Sequence, residues 1–206
     1  MTGLIFATKM EAGPFLSASR TILIEKGPIP IYQIDSMPWL YVAISGMGKV
    51  AAAVACQFLI RELQGVEIIN AGAAGALVSG QRYTPGSLFC VTSAVEGDHE
   101  LLGKNPQPLL SDGRTDLDLP PARLVTCDIP VFDSQRRKAL AEKGDLVDME
   151  GAAIARVAAM FEIPWTMIKG VSDAAGPTDR NVLMGNLKMV SQNIGDYLYA
   201  NLQPPA

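Results

Sequence analysis

The 206-residue sequence predicts an α/β fold, and three observations carry that expectation. Short apolar runs alternate along the chain with longer segments of helical period. The residues are 49% hydrophobic and only 18% charged, which supplies a substantial core and lies far from the composition of a disordered chain. The length suits one domain, 1–206, and neither an internal repeat nor a compositional break marks a linker.

Each element follows from its local pattern. Residues 4–7 form a first short apolar strand, and a helix begins near Lys9. Residues 21–25, 31–34 and 39–45 read as strands, being short and rich in β-branched and aromatic side chains. A helix of small residues starts near Gly48, and strands follow over 66–70 and 87–93. Residues 97–121 are rich in Gly, Pro, Asp and Asn; at about 25 residues this exceeds an ordinary connection and is expected to be functional or mobile. Strands over 123–127, 145–149 and 165–172 then alternate with helices starting near Asp133, Gly151 and Thr178. Ile154, Val157, Ala158 and Phe161 share one helix face that Pro164 closes off. Leu183, Leu187, Val190, Ile194, Tyr197 and Leu198 give the last helix a similar stripe, and the tail 203–206 is expected to fray.

Charge and composition exclude several functions. With 17 basic and 21 acidic side chains the net charge is −4, which argues against a nucleic-acid or anionic-membrane partner. No run approaches the roughly 20 apolar residues of a membrane span. Lys9 and Glu11 come too early for a signal peptide, so a cytoplasmic protein is expected. Cys56, Cys90 and Cys127 lack C-x-x-C spacing and sit in apolar runs, so they read as buried thiols rather than disulfides or zinc ligands. A His-based metal site or a Ser/His triad would have to rest on His99 alone, which weighs against both.

Two glycine clusters follow strands. Gly46-Met47-Gly48-Lys49 lets the chain turn sharply and brings backbone N–H groups to a helix N-terminus. Together with Ala51 it satisfies a loose G-x-G-x-x-A dinucleotide fingerprint, which needs an acid about 20 residues on, at the end of the next strand. That strand ends in Asn70, with Glu67 inside it, so a turn made for packing or for another ligand stays open. The second cluster, Asn70 to Leu77, leaves a backbone surface that a flat ring could approach, although small residues also serve tight helix–sheet packing.

Ligands of open α/β sheets sit beyond the carboxyl ends of the strands. Glu11, Glu150 and Asp173 occupy such places, each followed by small residues. Helix caps and first-turn acids explain any one of them. Three at one rim point instead to acid–base chemistry.

With Met10-Glu11, the stretch from Ser45 to Ala52, the second glycine cluster, Val147-Asp148-Met149-Glu150-Gly151 and Val171-Ser172-Asp173 in that order, the chain resembles the purine nucleoside phosphorylase/uridine phosphorylase family. Within it, the likeness is to the 5′-methylthioadenosine/S-adenosylhomocysteine nucleosidases and the futalosine hydrolases. It is strong over 1–91 and 146–175 and weak between about Glu96 and Ala141. The resemblance implies three layers, with a central mixed β-sheet flanked by helices. It implies hydrolysis of a purine nucleoside without metal or organic cofactor, in a homodimer.

The resemblance also assigns roles. Asp173 would serve purine N7, Glu11 the attacking water and Glu150 the ribose. Met149 would pack on the sugar, Ser172 would orient Asp173, and Gly46 and Gly48 would line the nucleophile side. Gly72 and Ala73 would lie along the ligand, and Ile129, Pro130 and Val131 would frame the base, where no stacking aromatic is evident. Phosphorylases of the family carry arginine and serine where this chain has Asn70 and Ala73, which favours water over phosphate. Nucleosidases carry arginine at Lys169, which is expected to hold Glu11 or the water by charge. Asp98 and His99 would contact the 5′ group, a neighbouring subunit or solvent. A phosphorylase, an NAD-binding oxidoreductase and a silent nucleoside-binding module are the alternatives.

Overall fold

The computed structural model describes residues 1–99, 106–176, 179–202 and 204. The chain runs β1 (Thr2–Phe6), α1 (Lys9–Ser17), β2 (Thr21–Glu25), β3 (Ile31–Ile34), β4 (Met37–Ile44), α2 (Lys49–Glu62) and β5 (Glu67–Ala76). It continues as β6 (Leu88–Glu96), β7 (Leu109–Leu110), β8 (Pro121–Thr126), α3 (Ser134–Ala141), β9 (Leu146–Asp148), α4 (Gly151–Met160), β10 (Trp165–Asp173) and α5 (Arg180–Asn201). The sheet is mixed, as expected. β1, β4, β5 and β10 are mutually parallel where they pair, whereas β6 runs against β10 and β9 against β5.

Alternation along the strands builds the three layers. Ile5, Ile68 and Met167 join α2 and α4 residues such as Ala55, Leu59, Ile154 and Ala158 in one core. Their neighbours Leu4, Ile69 and Ile168 face the other way and join Phe15, Val190, Ile194 and Leu198. Successive strand residues point to opposite faces, so three central strands serve both cores at once. α1 packs on α5 and α2 on α4.

The sheet also closes on itself. β5 pairs with β10, β10 with β6, β6 with β8, β8 with β9 and β9 with β5, a ring of five strands. This corrects the expectation that the strand ends at Asn70 and the glycine cluster follows it. Asn70 to Ala76 continue β5, because β10 pairs with them through Gly75 and β9 pairs with Gly75 and Ala76. Their small side chains permit that close approach.

The segment read as functional or mobile is partly tethered. Ser111 Oγ donates to the Trp165 carbonyl at 2.9 Å, and the Trp165 N–H donates to Asp112 Oδ1 at 3.1 Å. Arg114 makes paired bonds of 2.7 and 2.9 Å to the Glu67 carboxylate. Residues 100–105 of that segment, the helix start near Thr178, and Gln203, Pro205 and Ala206 of the tail lie outside the described residues. α5 starts at Arg180, and the Asp179 carboxylate caps it by accepting from the N–H groups of Asn181 and Val182. Among the described residues the three cysteines are free, Cys56 and Cys127 buried and Cys90 half-buried. No helix there is long and apolar enough to cross a membrane, and no side-chain cluster suits a metal.

Candidate active site

A cavity of about 410 Å³ opens at the carboxyl ends of β1, β5 and β10. Glu11, Glu150 and Asp173 all line it. Two arrive as the sheet rule expects. Asp173 is the last residue of β10, and Glu11 sits in the first turn of the helix after β1. Glu150 takes another route: β9 runs antiparallel to β5, so the chain enters the cavity from the opposite direction and turns into α4 there.

Glu11 has both a structural duty and a free valence. Thr8 caps α1, and Glu11 Oε2 accepts from the Thr8 N–H and hydroxyl at 2.9 and 2.8 Å. Among the described residues its Oε1 accepts only the Ala73 N–H, at 3.0 Å, and keeps a lone pair for a ligand. Lys169 Nζ makes its ion pair with Asp148 Oδ2 at 2.7 Å, both side chains being 1% exposed, and not with Glu11. A buried ammonium needs its nearest full counter-charge, whereas Glu11 is already supplied by Thr8 and Ala73.

Asp148 was not singled out by its sequence position, yet it lines the cavity and organises its floor. Its Oδ1 accepts the Thr126 hydroxyl at 2.6 Å and its Oδ2 the Gly151 N–H at 2.8 Å. Thr126 Oγ1 in turn accepts the Ala152 N–H at 2.8 Å, fixing the start of α4.

Among the described residues Glu150 receives one bond, from the Gly48 N–H at 2.8 Å. Burial first, and the Asp148 charge second, push its carboxyl up from 4.5 to about 7, against the pull of Lys169 and the Gly48 N–H. An acid poised near neutrality can change charge as a ligand enters. Asp173 is clamped at both oxygens, by the Ser172 hydroxyl at 2.6 Å and the Ala175 N–H at 2.8 Å. The Asn186 side chain braces the Ser172 carbonyl from α5 at 2.8 Å.

Gly46 and Gly48 lie at φ 87° and 94°, where L side chains are strained, so the turn requires glycine. They do not line the cavity; Met47 between them does, and Gly48 acts through its N–H. Gly72 and Lys169 likewise lie behind the wall rather than in it. Ala73, Met149, Ser172, Ile129, Pro130 and Val131 do line it.

Sequence reasoning missed Phe132, the aromatic beside Ile129, Pro130 and Val131, which lines the cavity while 52% exposed. It also assigned Leu183 and Leu187 wholly to core packing, whereas this end of the α5 stripe faces the cavity. The dinucleotide reading loses its acid. Glu67 is the first residue of β5, at the opposite end from the cavity, and is bound by Arg114 and Thr2.

A mixed sheet that brings Glu11, Glu150 and Asp173 from separate elements to one cavity has the arrangement that acid–base chemistry on a small molecule requires. The profile of the phosphorylase superfamily matches residues 38–200, and the chain belongs to that superfamily. The 5′-methylthioadenosine/S-adenosylhomocysteine nucleosidase of Buchnera aphidicola subsp. Baizongia pistaciae is 26% identical over 231 aligned positions, covering 97% of this chain and 91% of that protein. The native futalosine hydrolase of Helicobacter pylori strain 26695 superposes with a TM-score of 0.85 at 21% identity, covering 97% of this chain and 95% of that one. The 5′-methylthioadenosine/S-adenosylhomocysteine nucleosidase from Neisseria meningitidis, in complex with methylthio-immucillin-A, gives 0.82 at 25% identity over 96% of each chain.

Proposed function

We propose that the chain is an N-glycosyl hydrolase that cleaves a 5′-modified purine nucleoside into free base and modified ribose, with residues 1–206 as one catalytic domain. The observation that carries this reading is the convergence of Asp173, Glu11 and Glu150 on one cavity. Breaking the glycosidic bond develops positive charge on the sugar and negative charge on the base. Asp173 donates a proton or hydrogen bond to purine N7, so the base leaves neutral. Glu11 orients a water through its free Oε1 lone pair and takes its proton as the water oxygen bonds to the anomeric carbon. Glu150 accepts from a ribose hydroxyl and faces the cationic sugar, where a buried carboxylate stabilises most. Met149 packs against the ribose.

Water is favoured over phosphate by charge. Glu11, Asp148, Glu150 and Asp173 line the cavity, with no Lys, Arg or His among the described lining residues. A phosphate dianion would meet repulsion where it needs cationic donors. Met10, Met47, Ile129, Phe132, Leu183 and Leu187 supply the apolar part of the wall, which suits a thioether at the 5′ position better than a charged group.

The active unit is proposed to be a homodimer. Val50 and Val54 form an exposed apolar i, i+4 pair on α2, continued by Met47, Ile129 and Phe132 at the cavity mouth. Three free thiols agree with a cytoplasmic location. The test is a panel of purine nucleosides with varied 5′ groups, assayed with and without phosphate. Base release from methylthioadenosine without phosphate supports the reading, and an absolute phosphate requirement overturns it.

A further inference from the structure

One charged cluster beside the cavity has no part in the reaction proposed above. Lys49 opens α2, and its Nζ lies 2.7 Å from Asp98 Oδ1, 3.1 Å from Glu96 Oε2 and 3.6 Å from Asp128 Oδ2. The Lys49 N–H also donates to Asp128 Oδ1 at 2.9 Å, and the Asp128 N–H to Asp98 Oδ2 at 2.7 Å. Arg156 pairs with the other oxygen of Glu96 at 2.8 Å, and His99 Nδ1 stands 4.0 Å from Glu96 Oε2. One ammonium, 16% exposed, thus gathers three carboxylates from two places in the chain, the end of β6 and the segment after β8. Burial alone would lower its pKa, but the hydrogen bonds it donates to Asp98 and Glu96 carry it up to about 12. The lysine stays charged at any working pH.

None of these side chains lines the cavity, yet they join two parts that bear on it. Asp128 directly precedes the wall residues Ile129, Pro130, Val131 and Phe132. Gly48, one residue before Lys49, donates its N–H to Glu150. Adjacent amides of one helix start therefore hold the proposed ribose carboxylate and the root of the 129–132 wall. Among the described residues, 129–132 carry no hydrogen bond of their own, and Ile129 and Phe132 are 63% and 52% exposed. Val131 is buried beside Val95, Cys127 and Leu140, so the segment takes its position from that one anchor and from its roots.

We propose that Lys49 is a positioning residue, a latch that fixes the 128–132 wall against the glycine turn and so sets substrate affinity. The latch is a property of the fold; its effect on affinity rests on the nucleosidase reading above. Lys49→Met leaves Glu96, Asp98 and Asp128 without their common cation, and mutual repulsion displaces Asp128.

The test uses the full chain. Hydrogen exchange followed by mass spectrometry on substrate-free protein should show the Asp128 amide, which donates to Asp98, exchanging about tenfold faster in Lys49→Met, with β1 and β5 unchanged. With methylthioadenosine, KM should rise about tenfold while kcat stays within about threefold. Lys49→Arg should restore most of both. Should Lys49→Met fold poorly, Asp128→Asn removes one partner without changing shape and should move both readouts the same way. Unaltered exchange at the Asp128 amide in a folded variant, or a loss confined to kcat, overturns the proposal. If the wild type releases no base, the nucleosidase reading fails, and the exchange data still decide whether the latch exists.

Discussion

Replacing Lys169 with methionine removes the cation from a pair that has almost no contact with solvent. Its Nζ and Asp148 Oδ2 are 2.7 Å apart, with both side chains 1% exposed. Asp148 would keep the Thr126 hydroxyl and the Gly151 N–H, so its oxygens stay bonded while its charge goes unmatched. Breaking one side of a buried pair costs about 3–5 kcal/mol, and the two surviving bonds put this case near the lower end, about 3 kcal/mol. At roughly 2–4 °C per kcal/mol for a chain of this size, Tm should fall by about 6–12 °C. The double variant Lys169→Met/Asp148→Asn replaces the pair instead of breaking it and should recover at least about half of the loss. Thermal and urea unfolding followed by circular dichroism read both values. A single variant within about 1 kcal/mol of wild type, or a double variant no more stable than the single, would refute the reasoning. Losing Lys169 also removes a charge that holds the Glu150 carboxyl down, so the acid limb of kcat/KM should move to higher pH.

Three further predictions follow from the geometry. A Cβ at Gly72 would come 2.8 Å from Glu11 Oε1, and Thr8 and Ala73 resist its displacement. Gly72→Ala should therefore cost about 100-fold in kcat/KM in a folded protein, and activity within about threefold of wild type would contradict the role of Glu11. For Glu150, the folded state holds the carboxyl near 7 against an ordinary 4.5, so the protonated form favours folding. That contribution is full below pH 4.5 and lost as pH rises through 7, while kcat/KM gains over the same interval as the carboxylate forms. Glu150→Gln should flatten both profiles; an unchanged stability profile would remove Glu150 as their source. Phe132→Ala should raise KM about fivefold to tenfold with little change in Tm, since the ring is half exposed and lines the cavity. An unaltered KM would exclude it from the base-side wall.

Much of this molecule is legible in its sequence because local patterns carry it. The strand alternation that splits Leu4 from Ile5 and Ile168 from Met167 is local, and so are the turn glycines at 46 and 48 and the acids that follow strands. What eluded sequence reasoning depends on partners distant along the chain. Residues 70–76 read as a small-residue cluster beyond the strand's end until β9 and β10 pair along them. Lys169 sits two strands' reach from Glu11 in any sequence-based picture, and only packing shows that Asp148 claims it. Phe132 falls where resemblance to the family is weakest, and no periodicity marks a wall residue on an irregular segment. The strand direction of β9 is the subtlest case. Glu150 follows the carboxyl end of β9 as the other two acids follow theirs, yet β9 runs against β5, so only the strand pairing shows that these ends meet at one cavity.

The claim on which the account turns is that water, activated at a cavity lined by carboxylates, displaces a purine protonated by Asp173. The measurement that tests it most directly is the mass of the sugar product from methylthioadenosine in buffer containing phosphate, for wild type and Asp173→Asn. The account predicts free 5-methylthioribose and adenine from the wild type, with neither product above background from the folded variant. A sugar 1-phosphate as the product, or wild-type rates in Asp173→Asn, would contradict it.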